Sequence, residues 1–146
     1  MSKPLSIIRL VGATLLLMAC VSVVSAEFLP ADLNAEPNPV ARSKKALKLA
    51  ESAFDDAHRF YAEGDVDQGN AQLENMINAL NVAVSSLTTA HKWPLNKKAE
   101  LAVAHLQRRL QFLTDDISLP QRGWAAYTER KLDEIHDRLL EKVIKK

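Results

Sequence analysis

The chain has 146 residues, 25% of them charged and 47% hydrophobic, with a formal net charge of +1. That length leaves room for one domain, and the near-neutral balance excludes nucleic acid as a partner, since binding it needs a basic face. A single cysteine, Cys20, excludes a disulfide framework.

The chain opens on an export address. Lys3 and Arg9 form a positive start, residues 10–24 are uncharged and largely apolar, and Val24-Ser25-Ala26 is a small-residue cleavage site. The apolar run, at about 15 residues, is shorter than the ~20 that span a bilayer. The expectation is a signal peptide over residues 1–26, giving a periplasmic or secreted protein. Leu17-Met18-Ala19-Cys20 also resembles a bacterial lipobox, so lipid anchoring at Cys20 is the alternative, and the membrane is a partner only in that case. Residues 21–24 stay apolar after Cys20, and Met18 stands where the lipobox pattern prefers a small residue; both favour cleavage after Ala26. Loss of Lys3 and Arg9 tips the balance of 19 basic and 18 acidic residues to slightly acidic.

Residues 27–40 carry Pro30, Pro37 and Pro39 among Asp, Asn and Glu, which removes backbone donors and blocks helix. A flexible leader is expected there, followed by a helical domain over residues 41–146. In residues 41–63, Ala46, Ala50, Ala53, Ala57 and Phe60 recur at spacings of four and three, with Leu47, Phe54 and Tyr61 on the adjoining rim. Gly64 then suits the left-handed residue just past a helix end. Asp65 is placed to cap the next helix, and Gln68 to complete the capping box. Helix stop and helix start within two residues predict an antiparallel pair.

The second helix is expected over residues 66–90, with Leu73, Ile77, Leu80, Val84 and Leu87 as its stripe and Met76 and Ala83 beside it. Gly69 falls in its first turn facing the first helix, where close approach offsets the cost of a helical glycine, about 1 kcal/mol. His91-Lys92-Trp93-Pro94 breaks the chain, because Pro94 biases Trp93 away from helical angles. A third helix begins at Pro94 or Asn96 and runs to about Asp115 on Ala99, Val103, Leu106, Leu110, Leu113 and Ile117. Lys97, Glu100, Gln107, Arg108 and Gln111 are its expected solvated side. Ser118-Leu119-Pro120-Gln121 reads as the capped opening of a fourth helix that reaches Ile144, with Gly123 a weak point near its start. Four amphipathic helices with short connections predict an all-α, antiparallel up-down four-helix bundle, the alternative being two stacked helical hairpins.

Phe60-Tyr61-Ala62-Glu63-Gly64-Asp65-Val66 resembles the inter-helix turn of a tetratricopeptide repeat, with Phe60 as the aromatic four residues before the Gly-Asp pair and Leu73 as the large apolar residue of the second helix. Ala53, Asp56 and Gly69 depart from that family's pattern. No second copy is visible, and a repeat groove takes about three copies. The Gly64-Asp65 corner together with Ile135-His136 and Leu139-Leu140 near the end is also similar to exported bacterial helical-bundle proteins of unknown function. Neither resemblance implies an activity.

Chemistry-bearing residues are sparse. Asp55 to His58 and Asp133 to His136 both have the acid-x-x-His spacing by which some bundles hold paired metals. The helical wheel turns Asp55 and Asp133 outward, however, leaving His58, His105 and His136 as candidates for an alternative function, a periplasmic metal- or cofactor-binding bundle. No Cys-x-x-Cys-His is present to attach haem, and Met76 belongs to a core stripe. Glycine occurs 4 times, once in the signal as Gly12, so there is no phosphate-cradling loop. Ser85, Ser86, Thr88 and Thr89 lack a nucleophile elbow. No catalytic residue, resident cofactor or enzyme activity is expected. Trp93, Trp124 and Tyr127 flank helix ends and are the candidate anchors for a partner. The expected function is that of an exported, non-enzymatic interaction or structural module of the bacterial cell envelope, whose partner is another envelope protein or a cell-wall component.

Overall fold

The structure, a computed structural model, describes residues 31–90 and 92–145. The proposed signal peptide and Cys20 lie outside them. Helix α1 spans Ala31–Ala35, α2 Pro39–Ala62, α3 Val66–Ala90, α4 Trp93–Asp116 and α5 Arg122–Ile144, with a 3-10 turn at Leu119–Gln121 before α5. Among the described residues there is no strand, and no helix is long and apolar enough to cross a membrane. The fold is an all-α helical bundle.

The α2–α3 corner follows the physics of its residues. Gly64 has φ 81°, Asp65 N–H donates to Phe60 O at 2.9 Å and Gly64 N–H to Tyr61 O at 3.1 Å, the paired bonds of a Schellman cap. The Asp65 carboxylate accepts from Gln68 N–H at 3.1 Å, capping α3 as expected. The expected return bond from the Gln68 side chain is replaced, because Phe60 O already takes the Asp65 N–H. Gly69 is buried directly beneath Tyr61, and a Cβ there would lie 2.9 Å from the phenol ring. Alanines at 46, 50, 53 and 57 are all buried, so α2 and α3 lie close along their whole length.

Two hairpins, α2–α3 and α4–α5, stack on one another. Asp55 of α2 meets Arg109 of α4 at 2.5 Å, while Ser43 and Leu95, near the starts of the same helices, line one cleft. Arg138 of α5 reaches Asn81 of α3 at 2.7 Å, and one turn later Lys142 reaches Thr88. Helices α2 and α4 therefore run the same way, as do α3 and α5. Chain direction alternates up and down, yet α3 packs more extensively on α5 than on α4, its successor in the chain. The core is continuous across both hairpins, from Phe54, Leu73, Met76 and Leu80 to Leu106, Leu110, Leu132 and Leu139.

Several boundaries and caps differ from expectation. Asn38 caps α2 two residues early, accepting from Val40 N–H at 2.9 Å and Ala41 N–H at 3.2 Å, with Pro39 at the first helical position. In the stretch expected as leader, Leu33 is buried against Ala46 and Ala83, Glu36 pairs with Lys45 at 2.6 Å and its carbonyl accepts from Arg42 Nε at 2.8 Å. Ser118 makes no side-chain cap bond, and α5 begins only at Arg122. Arg122 instead donates to the Ile117 and Asp115 carbonyls, both at 3.1 Å, closing the end of α4. Helix α5 continues unbroken through Gly123.

Candidate functional site

Both inter-helix turns within hairpins lie at one end of the bundle. The other end gathers the ends of α3 and α5 and the start of α4, around a cleft of about 590 Å³ lined by Thr88, Trp93, Asn96, Arg138 and Lys142 among others. Arg138 and Lys142 are one turn apart, so both side chains leave the same face of α5. Their hydrogen-bond partners on α3, Asn81 and Thr88, are neutral. Among the described residues the cleft's one carboxylate, Glu141, lies 3.6 Å from Lys145. Burial, and then the neighbouring Arg138 charge, push the Lys142 ammonium below its ordinary range. Cations suit the C-terminal ends of α3 and α5, and among the described residues neither Arg138 nor Lys142 forms an ion pair.

Two further residues shape this end. Trp93 is 42% exposed, and its indole N–H donates to the Val143 carbonyl at 3.1 Å, tying the start of α4 to the last turn of α5. Asn96 is only 8% exposed, yet its side-chain oxygen has no hydrogen-bond partner among the described residues. An unsatisfied buried amide is costly, by about 1–3 kcal/mol. Helix α4 also starts without a side-chain cap at Lys92.

A second cleft, of about 290 Å³, lies between α2 and α4 at the same end. Leu47, Leu87 and Leu95 line its apolar part, and Lys44, Lys48 and Lys98 are its basic members.

The expected solvated placement of Glu100 is corrected. It is 7% exposed in the α4–α5 seam, 2.6 Å from Lys97 Nζ and 3.1 Å from His136 Nε2. Hydrogen bonds from Lys97 hold its carboxyl below the ordinary range, with a smaller contribution from His136. Ala99 and Val103, both fully buried, bring α5 close enough to cover the adjoining position. Among the described residues His136 hydrogen-bonds Glu100 and no hydroxyl.

His58 and His105 are exposed on α2 and α4. Among the described residues no group of three or more His, Cys, Asp or Glu side chains is placed to hold a metal. At the opposite end Trp124 packs against the core with its indole nitrogen buried and unpartnered. Tyr127 is 39% exposed, its ring 5.2 Å from that of Trp124. The two tryptophans thus mark opposite ends of the bundle, as the helix order predicts, and Trp93 lines a cleft at its end.

The described residues form an all-helical bundle with clefts at its surface. No family model, curated protein or solved structure matches the chain.

Proposed function

We propose that this is an exported, non-enzymatic helical module that binds another component of the bacterial cell envelope through the Trp93 end of its bundle. The observation that carries the reading is the Arg138–Lys142 pair, two cations in a cleft with neutral partners and an exposed indole at the rim. A positive, partly dry cleft beside a large amphipathic ring is the arrangement that anchors acidic or carboxylate-bearing partners. The export step rests on the sequence features of residues 1–26.

A photo-crosslinking residue placed at Trp93 in cells tests the reading, with one at His58 on the exposed face of α2 as control. A discrete adduct from position 93 and none from position 58 is the expected result. Equal labelling from both positions, or none from either, overturns it.

A further inference from the structure

The lysines near the starts of α2 and α4 divide into two sets. Lys45 pairs with Glu36 and Lys97 with Glu100, each at 2.6 Å. Their neighbours in sequence, Lys44 and Lys98, line the cleft between α2 and α4 together with Lys48. Among the described residues none of these three forms an ion pair or a side-chain hydrogen bond. Glu51 is the one acid among the described lining residues, so positive charge is in excess. Beneath the lysines the floor is apolar, built of Leu47, Leu87 and Leu95 with Val40 and Ala102 beside them. All of these but Leu87 are only partly buried, which leaves apolar surface open along the cleft.

Shape narrows the occupant further. The lining runs along α2 from Val40 to Glu51, a rise of about 16 Å. A volume of about 290 Å³ drawn out over that length is one hydrocarbon chain wide and holds about ten water-sized groups. Leucine, valine and alanine side chains offer nothing to pair with the N–H and C=O groups of a buried peptide, and burying those unpaired is costly. A small inorganic anion would satisfy the lysines and leave the floor wet. A hydrocarbon chain needs no polar partner, and a charged head at its end answers the lysines.

We infer that this cleft binds a single acyl chain of about ten carbons with an anionic head, the chain lying on Leu47, Leu87 and Leu95 and the head held by Lys44, Lys48 and Lys98. The lysine stems cover the chain while their ammonium groups stay in water. A width of one chain separates this ligand from a two-chain bilayer lipid. The site is separate from the Trp93 cleft and goes beyond the docking proposed there.

The test is an NMR titration of the processed, isotope-labelled protein at fixed ionic strength and neutral pH. Its probes are hexanoate, octanoate, decanoate and dodecanoate, each below its micellar concentration, with decanol as the neutral analogue. Saturable shifts are expected at the methyl groups of Leu47, Leu87 and Leu95. Affinity is expected to rise roughly two- to fourfold per methylene up to decanoate and to level off at dodecanoate. Decanol is expected to bind about tenfold more weakly, the worth of three partly exposed charge contacts. Replacing Lys44, Lys48 and Lys98 together by Gln removes the difference between decanoate and decanol, whereas Lys45→Gln, outside the cleft, leaves it in place. Ala102→Leu fills part of the floor and moves the plateau to octanoate. Decanol that binds as well as decanoate, or a gain from decanoate to dodecanoate as large as that from octanoate to decanoate, overturns the assignment. So does capture by phosphatidylglycerol vesicles without saturable decanoate binding, which would give the lysines to a membrane surface instead.

Discussion

Single residues decide how closely the first two helices approach. Gly69 is in contact with the Tyr61 ring, whose hydroxyl is held by Asn70. Gly69→Ala gains about 1 kcal/mol of helix propensity but overpacks a ring that is 8% exposed and pinned, at a cost of about 1–3 kcal/mol. Net destabilisation is expected in urea unfolding, and the sign should reverse in a Tyr61→Leu background. At Gly64, with φ 81°, alanine has space but the wrong backbone, so Gly64→Ala is expected to cost about 1–2 kcal/mol. Burial pushes the Tyr61 phenol up to about 12, against about 10 in the unfolded chain. The folded state therefore holds its proton where the unfolded state has lost it. This contribution is complete below pH ~10 and is lost as pH rises towards about 12. Tyr61→Phe should flatten that alkaline decline. Glu100 titrates in the opposite sense. Its depressed pKa contributes stability above the ordinary carboxylate range that is lost as pH falls through the folded value, and Glu100→Gln should remove that part of the acid sensitivity.

At the scale of elements, what could be read from the residues is whatever a local rule controls. The Gly64–Asp65 corner, the Gly69 contact and the apolar stripes of the first three helices each depend on residues within a turn or two of one another, and they form as their spacing implies except at Phe60, which stays half-buried. Glu100 was misplaced because its burial depends on how near α5 comes, which the pattern of α4 alone does not contain. Asn38 followed a familiar rule, a capping side chain before proline, but sat in a stretch whose prolines argued against helix. Ser118 had the composition of a cap and lost the role to a 3-10 turn and to Arg122, a side chain that reaches back for the carbonyls at the end of α4. The cleft was half legible: Trp93 stood out, and Arg138 and Lys142 share a face of α5 by their spacing, whereas only the packing of α4 and α5 at this end brings Asn96 beside them. Leu33 gives this scale its test. Leu33→Ala is expected to cost about 2 kcal/mol and to raise proteolysis ahead of α2, which a limited-digestion time course reads directly.

Over the whole molecule, α3 packs against α2, α4 and α5. Its central amides are expected to exchange most slowly, while those of α1 exchange first, an order that hydrogen exchange with mass analysis resolves. Intact mass of the processed protein separates a free Glu27 from a lipid-bearing Cys20. The stacking of like-directed helices has a practical corollary for anyone handling this protein. Chain entry into α2, the cleft and the end of α5 at Ile144 all share one pole, so an affinity handle joined directly behind α5 begins within a turn of Lys142 and crowds the very surface it would be used to study. A handle spliced into the exposed turn at Gly64 or Ser118 sits at the antipode and leaves that surface open.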